Sequence, residues 1–288
     1  MNKLNLSIIV PVYNEEKTVG KTISSLLENA SALGVDYEII AVNDGSTDGS
    51  LAVLEKFTAI KKISHPANKG YGASLKTGIR HSRYDWIMII DADGTYLPDY
   101  LPKLAKAADG ADMVVGARDK NSAGIPMERK HAKKFLNWFA GYLAGKKIPD
   151  LNSGMRLFKK EMALKYWDLF PDRFSFTSTL TMIAATKSYE TVFASIDYLK
   201  RESKSSMKPK AFFGFIKLVV KLSLFFKPIK VFGPISLIIF LGALGILAAF
   251  LTGLTDSFLD TTFVILIATA LQTFFFGLLA EIVIHNRR

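Results

Sequence analysis

Short apolar runs alternate with segments of helical period through the first half of the chain. Leu6 to Val12 is a mostly apolar run of strand length, and Pro11-Val12-Tyr13-Asn14-Glu15-Glu16 carries it into a turn. Val19, Ile23, Leu26, Leu27 and Ala30 then repeat at helical spacing. Tyr37 to Asn43 predicts a second strand and Lys61 to Ser64 a third, with a helix running through Ile79 behind it. Trp86 to Ile90 is an apolar run too short for a buried helix, and it ends in Asp91-Ala92-Asp93. Met113 to Gly116 predicts another strand, which ends at Arg118, and Glu128 to Ala144 an amphipathic helix. Such alternation predicts an α/β fold with a mostly parallel sheet wrapped by helices.

The last quarter reads differently. No charged residue occurs from Ile235 to Leu254, and from Thr261 to Ile284 there is only Glu281. Each run reaches the roughly 20 residues that cross a bilayer, so a two-helix transmembrane hairpin is expected. Asp256 and Asp260 fall in its turn, whereas Lys227, Lys230, Arg287 and Arg288 flank it. The positive-inside rule then puts both ends of the chain in the cytoplasm.

Charge adds a further element. The chain carries a formal +11, and between Lys200 and Lys230 nine Lys or Arg stand against one acid, Glu202. Interleaved with Phe212, Phe213, Phe215, Leu218 and Leu222, these cations predict amphipathic helix on an anionic leaflet rather than a nucleic-acid surface. The expected organisation is a cytosolic catalytic domain over residues 1–208, amphipathic juxtamembrane helices over 209–230 and two transmembrane helices over 231–288. The absence of cysteine fits a reducing compartment.

Candidate chemistry gathers where strands end. In open α/β sheets ligands bind outside the carboxyl ends of the strands. Asp91 and Asp93, one residue apart at such an end, are hard oxygen ligands suited to Mg²⁺ or Mn²⁺ shared with substrate phosphates. Asp44 ends the second strand within Asn43-Asp44-Gly45-Ser46-Thr47-Asp48, and Asp48 can cap the helix that follows. Asn68-Lys69-Gly70-Tyr71-Gly72 predicts a helix start that presents free N–H groups and one cation to an anion. Leu75 occupies the place of the third glycine of a dinucleotide fingerprint, and there is no Walker motif. Arg118, Arg129, Arg156 and Arg201 fall at element boundaries, where planar guanidinium forks suit phosphate. The four histidines show no ligand or triad spacing and are read as incidental.

Taken together, Pro11-Val12-Tyr13-Asn14-Glu15, Asn43-Asp44-Gly45-Ser46-Thr47-Asp48, Asn68-Lys69-Gly70, Asp91-Ala92-Asp93 and Asp150-Leu151-Asn152-Ser153-Gly154-Met155-Arg156 resemble the family 2 glycosyltransferases, in particular the polyprenyl-phosphate (dolichol-phosphate) hexosyltransferases. The resemblance covers Leu6 to about Lys210 and includes Arg201 to Lys208, similar to that group's Arg-x-Gly-x-Ser-Lys segment. It implies a GT-A fold, a nucleotide-sugar donor, a divalent metal and a polyprenyl (undecaprenyl or dolichyl) phosphate acceptor. It places Pro11, Tyr13, Glu15, Asp44, Ser46 and Ala92 on the nucleotide sugar, Lys69 near the phosphates, and Asp91 and Asp93 on metal and diphosphate. Asp150, Ser153, Arg118, Arg129, Arg156 and Arg201 would line the acceptor side, with Asp93, Asp150, Arg118, Arg129 and Arg201 carrying the chemistry.

Three positions depart from the group. Thr95 stands where mannosyl members often carry Gln, Phe174 to Thr179 replaces a Glu-bearing helix start, and Ser203 replaces a glycine. The first two favour a UDP-sugar over the alternative of a GDP-mannose-using dolichol-phosphate mannosyltransferase. A processive polysaccharide synthase would need a Gln-x-x-Arg-Trp segment, and the chain's one glutamine is Gln272, inside the second apolar run. A silent nucleotide-sugar-binding scaffold would have lost an acid from the metal motif, and both are present. The expected partners are the nucleotide sugar, the lipid phosphate, the bilayer and a second copy through the hairpin.

Overall fold

The computed structural model describes residues 4–119, 127–173, 175–199, 210–254 and 259–286. They form two compact units, residues 1–141 with 146–215, and residues 142–145 with 216–288.

In the first unit the elements run β1 (Leu6–Val12), α1 (Val19–Ala32), β2 (Tyr37–Asn43), α2 (Ser50–Glu55), β3 (Lys61–Ser64), α3 (Tyr71–His81), β4 (Trp86–Ile89), α4 (Leu101–Lys106) and β5 (Met113–Arg118). They continue with α5 (Met127–Ala144), β6 (Arg156–Lys159), α6 (Lys160–Lys165), α7 (Phe176–Thr186) and β7 (Thr191–Ile196), and α8 (Lys210–Phe226) follows. Among the described residues seven strands form one sheet in the order β3-β2-β1-β4-β6-β5-β7. The strand leading to Asp91 is therefore its centre. Leu6, Ile8, Val10, Ile39, Met88 and Leu157 are fully or almost fully buried on the sheet, and α1 lays Val19, Ile23, Leu26 and Ala30 against this core. Apolar side chains on both faces of the inner strands are what a sheet covered on both sides requires.

One strand breaks the parallel pattern. β6 runs antiparallel to β4 and β5, pairing Ile89 and Val115 with its first residue, Arg156. Its beginning therefore lies where β1, β4 and β5 finish. The Asp150–Met155 loop that precedes it is carried to the same edge as the acids after β2 and β4.

In the second unit, α9 (Ile229–Leu251) and α10 (Asp260–Asn286) are antiparallel partners. Their apolar spans of 23 and 25 residues, Ile229–Leu251 and Asp260–Ile284, are long and apolar enough to cross a membrane. At 1.5 Å per residue each exceeds the roughly 30 Å hydrocarbon core. The pair is pinned by polar and steric detail. Ser236 Oγ donates to Ala270 O at 2.7 Å, and Glu281, the one acid between Thr261 and Ile284, accepts the Ile229 N–H at 3.2 Å. Gly277 leaves no room for a methyl, whose carbon would lie 2.8 Å from Phe232 Cβ. Small residues that admit close helix approach, with interhelical hydrogen bonds, are the usual means of pairing helices in lipid.

Candidate active site

Three loops are laced together at the carboxyl edge of the sheet. Asn14, after β1, adopts φ +56°, donates its N–H to Ser46 Oγ and accepts from Thr47 N. Ser46 thus braces the β1 and β2 loops. Glu15 is buried and takes a bond from its own N–H to Ser50 Oγ at 2.8 Å. Asp48 stands one residue ahead of Gly49, the N-cap of α2, and accepts from the N–H of Ser50, the first residue of that helix, at 3.0 Å. Pro11 is half-buried, whereas Tyr13 keeps 45 % of its surface exposed at the mouth of the same loops.

Asp44 is almost fully buried, and its carboxylate gathers the loop after β3. Oδ1 accepts from Lys69 N at 2.9 Å and from His65 Nδ1 at 2.7 Å, and Oδ2 accepts from Gly70 N at 2.8 Å. His65 Nε2 meets Thr77 Oγ1 at 2.9 Å. This histidine, read from sequence as incidental, is a buried strut between Asp44 and α3. No short-range spacing reveals it, because 21 residues separate it from Asp44. Gly45, at φ +67°, lets the chain turn where an added Cβ would fall 2.7 Å from the Ala67 carbonyl carbon.

The expected anion site at the start of α3 is corrected. Gly72 N donates to Arg173 O and Ala73 N to Asp172 O, while the N–H groups of Lys69 and Gly70 go to Asp44. Protein oxygens thus already hold these donors. Of this segment, the exposed Lys69 side chain faces solvent.

Asp91 and Asp93 sit at the centre of the edge. Tyr71 donates its hydroxyl to Asp91 Oδ1 at 2.8 Å. Burial, with the Asp91 charge beside it, pushes the Tyr71 phenol well above its ordinary value, so it remains a donor. Asp93 Oδ1 accepts from Thr95 N at 3.1 Å and Thr95 Oγ1 at 2.6 Å. The carbonyl of Ala92, between them, accepts the Thr18 hydroxyl at 2.8 Å, which ties the pair to α1. Among the described residues no three or more acidic or histidine side chains form a closed metal cage. Two oriented carboxylates do fit the open mode in which Mg²⁺ or Mn²⁺ takes one or two protein oxygens and completes its shell with water and substrate phosphate.

Gly154 belongs to this arrangement. A Cβ there would lie 2.1 Å from Asp91 Oδ2 and 2.7 Å from its carboxyl carbon. Gly154 N also donates to the buried Tyr96 hydroxyl at 2.7 Å, which holds the loop against Asp91. Gly154→Ala is therefore expected to displace Asp91 and lower kcat about 100-fold, the scale that a shift of about 1 Å at a reacting centre carries. Steady-state rates beside a melting curve test this. Near-normal kcat would mean that Asp91 does not act from its present position.

On the other side, Arg118 and Asp150 form a fork. Nε reaches Asp150 Oδ2 and Nη2 reaches Oδ1, each at 2.8 Å, and Nη2 also reaches Asn152 Oδ1 at 2.9 Å. The guanidinium lies 5.2 Å from the centre of the Tyr198 ring, which packs edge-on to Tyr96. Burial works against its charge, but Tyr96 and the Asp150 carboxylate reverse that and raise Arg118 well above its usual range. Arg118 is thus a paired cation whose Nη1 takes no part in these bonds.

Two expectations for the acceptor wall give way. Arg156 and Ser153 are fully buried beneath the loop. Arg156 donates to Ser153 O, to Thr177 O at 2.7 Å and to Thr181 Oγ1 at 2.9 Å, while Ser153 Oγ donates to Gly116 O at 2.6 Å. Burial lowers Arg156 to about 10, which leaves it charged at neutral pH. A buried charge survives by meeting oxygens on every side, and here those are carbonyls and a hydroxyl. Where the resemblance expects a glutamate at the start of α7, Ser175 stands at φ +85°, and the buried Ser178 and Thr179 hydroxyls find no hydrogen-bond partner. Phe174, Arg201 and Ser203 lie outside the described residues, as does the side chain of Arg129.

Comparison with known proteins gives the family and the fold. Glycosyl transferase family 2 matches residues 7–167, and the GtrB C-terminal hairpin matches 227–284. An uncharacterized protein of Methanocaldococcus jannaschii is 32 % identical over 193 residues, 64 % of this chain and 77 % of that protein. The undecaprenyl-phosphate 4-deoxy-4-formamido-L-arabinose transferase of Proteus mirabilis is 26 % identical over 75 % of this chain, which spans 65 % of that enzyme's length. Glucosyl-3-phosphoglycerate synthase of Mycobacterium tuberculosis, solved with Mn²⁺, UDP-glucose and phosphoglyceric acid, shares the fold at a TM-score of 0.60 and 16 % identity, over 77 % of this chain and 80 % of that one. With the family signature covering more than half of its length, the chain belongs to glycosyl transferase family 2 and is by that membership a glycosyltransferase.

Proposed function

We propose that the chain transfers a hexosyl group from a nucleotide sugar, a UDP-sugar by preference, to polyprenyl phosphate at the cytosolic face of a membrane, with inversion. The observation that carries this reading is one crevice edge bearing Asp44, Asp91, Asp93 and the Arg118–Asp150 fork in a chain that also has an apolar hairpin. The lipid-phosphate acceptor named for the Proteus mirabilis relative supports it, as do the Mn²⁺ and UDP-glucose bound by the Mycobacterium tuberculosis neighbour.

In this reading Tyr13 offers its exposed ring to the base, and Asp44 with its laced loop shapes the nucleoside side. Asp91 and Asp93 would hold a divalent ion, which would supply charge neutralisation for the departing diphosphate. The chain's own contribution is to fix those carboxylates, through Tyr71 on Asp91 and Thr95 on Asp93. A lipid phosphate monoester has a second pKa of about 6, so at neutral pH it is already an anionic nucleophile and needs no strong base. Asp150, with both oxygens on the Arg118 fork, then acts by aiming that arginine. Arg118 Nη1, Arg129 and Arg201 offer positive charge to the acceptor, offsetting the repulsion between two phosphates.

The test incubates the full chain in vesicles with polyprenyl phosphate and a panel of UDP- and GDP-sugars, and identifies the lipid product by mass. A polyprenyl monophosphate hexose made from a UDP-sugar is expected. A product made only from GDP-mannose would overturn the base assignment, and a sugar released without any lipid product would overturn the acceptor.

The donor side carries its own prediction. His65→Ala removes the strut behind Asp44, so donor KM should rise more than kcat falls, roughly tenfold if one hydrogen bond of about 1.4 kcal/mol is lost. His65→Asn, which keeps a side-chain donor, should recover part of the loss. An unchanged donor KM in His65→Ala would separate the strut from the nucleotide.

A further inference from the structure

Past β7 the chain turns toward the loop that carries Asp91 and Asp93. Arg118 and Ile196 face each other at the ends of β5 and β7, and Asp119 N donates to Ile196 O at 3.0 Å. Asp197 then accepts the Tyr100 hydroxyl at 2.7 Å, and Leu199 N donates to Thr95 O at 3.0 Å. Tyr198 is thereby held between the end of β5 and the loop after β4.

Its ring and its hydroxyl meet different partners. The ring centre lies 5.2 Å from the Arg118 guanidinium, inside the roughly 6 Å over which an aromatic face attracts a cation. Tyr96 packs edge-on at 5.1 Å and keeps that ring from turning. The phenol hydrogen-bonds to the Thr95 side chain. Thr95 has a single hydroxyl proton, and that proton goes to Asp93 Oδ1 at 2.6 Å. The Thr95 oxygen is therefore the acceptor of the Tyr198 O–H, and a chain of donors runs from Tyr198 through Thr95 to Asp93. A hydroxyl that accepts one hydrogen bond donates the next more strongly, so the phenol reinforces the bond that aims Asp93. Packing against Arg118 needs no hydroxyl, and the bond to Thr95 needs no aromatic face. One half-buried tyrosine supplies both.

We propose that Tyr198 is a positioning residue for both halves of the transfer site: its hydroxyl, through Thr95, sets the direction of Asp93 toward a divalent ion, and its ring sets the direction of Arg118 toward the acceptor. The assignment rests on the reading of Asp93 as a metal ligand and of Arg118 as an acceptor-side cation.

The full chain in vesicles is titrated with Mn²⁺ in the presence of UDP, and the free ion is read by its EPR signal, so binding is measured without turnover. Tyr198→Phe keeps the ring and loses the hydroxyl. It should raise the Mn²⁺ dissociation constant about three- to tenfold and leave the KM for polyprenyl phosphate unchanged. Thr95→Val cuts the bond to Asp93 itself and should raise that constant about 10- to 100-fold. Adding Tyr198→Phe to Thr95→Val should change nothing further, because the chain of donors is already broken. Tyr198→Leu should weaken Mn²⁺ as the Phe variant does and also raise the acceptor KM about three- to fivefold. Tyr198→Phe thus restores the acceptor side alone, a split that a merely structural role would not produce. Melting temperatures are taken alongside, and that of Tyr198→Phe should stay close to the unsubstituted chain's. Unchanged Mn²⁺ affinity in Tyr198→Phe, or losses that multiplied in the double variant, would overturn the role of the hydroxyl. Equal acceptor KM in the Leu and Phe variants would overturn the role of the ring. Both outcomes leave ion binding and transfer by the unsubstituted chain intact. An unsubstituted chain that bound no Mn²⁺ would instead overturn the metal reading and the hydroxyl's role with it.

Discussion

Asp150→Ala should destabilise the catalytic unit by about 3–5 kcal/mol, the loss that follows when one partner of a buried ion pair is removed and the other is stranded. Asp150 retains 1 % of its side-chain exposure and Arg118 12 %, so little solvent is available to take over the interaction. The lost carboxylate also strips the acceptor from the Arg118 backbone N–H at 3.2 Å and loosens the entry to β6. Arg118→Met alone should cost a comparable amount. The double variant should cost clearly less than the two single losses together, because it leaves no buried charge unmatched. Urea midpoints of the four proteins, followed by tryptophan fluorescence, make the comparison. A loss under about 1 kcal/mol for Asp150→Ala would mean that the fork behaves as a surface pair and does not hold the loop.

Asp93→Asn should remove turnover while sparing the fold. The Asp93 Oδ1 atom accepts from Thr95 N and Thr95 Oγ1, and an asparagine oxygen can accept both bonds, so the substitution changes charge with little change of shape. Deleting one preorganised electrostatic contact to a developing charge typically costs about 100- to 1,000-fold in kcat, and a fall in that range or deeper is expected. Chelation of divalent ions should bring the unsubstituted chain to a similar rate, and Mn²⁺ should restore that chain but not the variant. Rates at saturating donor, with melting temperatures alongside, distinguish lost chemistry from lost structure. A variant that kept its rate in chelator would remove Asp93 from the reaction.

Where apolar runs are cut off by acids and glycines, the sequence predicts the elements closely. β1, β2 and β3 have the bounds read from Leu6–Val12, Tyr37–Asn43 and Lys61–Ser64. The central strand before Asp91 and the long apolar helices are equally plain, since period and length are local properties. The direction of β6 is not local. Arg156 to Lys159 reads alike in either orientation, and pairing with β4 and β5 decides it. Side-chain roles fail to show for the same reason. An arginine at a loop end looks like a phosphate ligand whether it points outward or inward, and only Thr177 and Thr181, more than 20 residues away, turn Arg156 inward. The start of α3 looks like an anion site until the carbonyls of Asp172 and Arg173, about 100 residues on, occupy its N–H groups.

The inward arginine also couples two segments in time. Its fork joins Ser153 O to Thr177 O and Thr181 Oγ1, and Thr181 Oγ1 in turn donates to Leu151 O at 2.9 Å. The Asp150–Met155 loop cannot lift without tearing these bonds, and α7 cannot fray at its first turns without releasing the loop. Local opening is therefore expected to engage both as one cooperative unit, whose amides share one opening free energy in hydrogen exchange. A conservative change inside α7, far from any substrate atom, then reaches the crevice by shortening the lifetime of the closed loop.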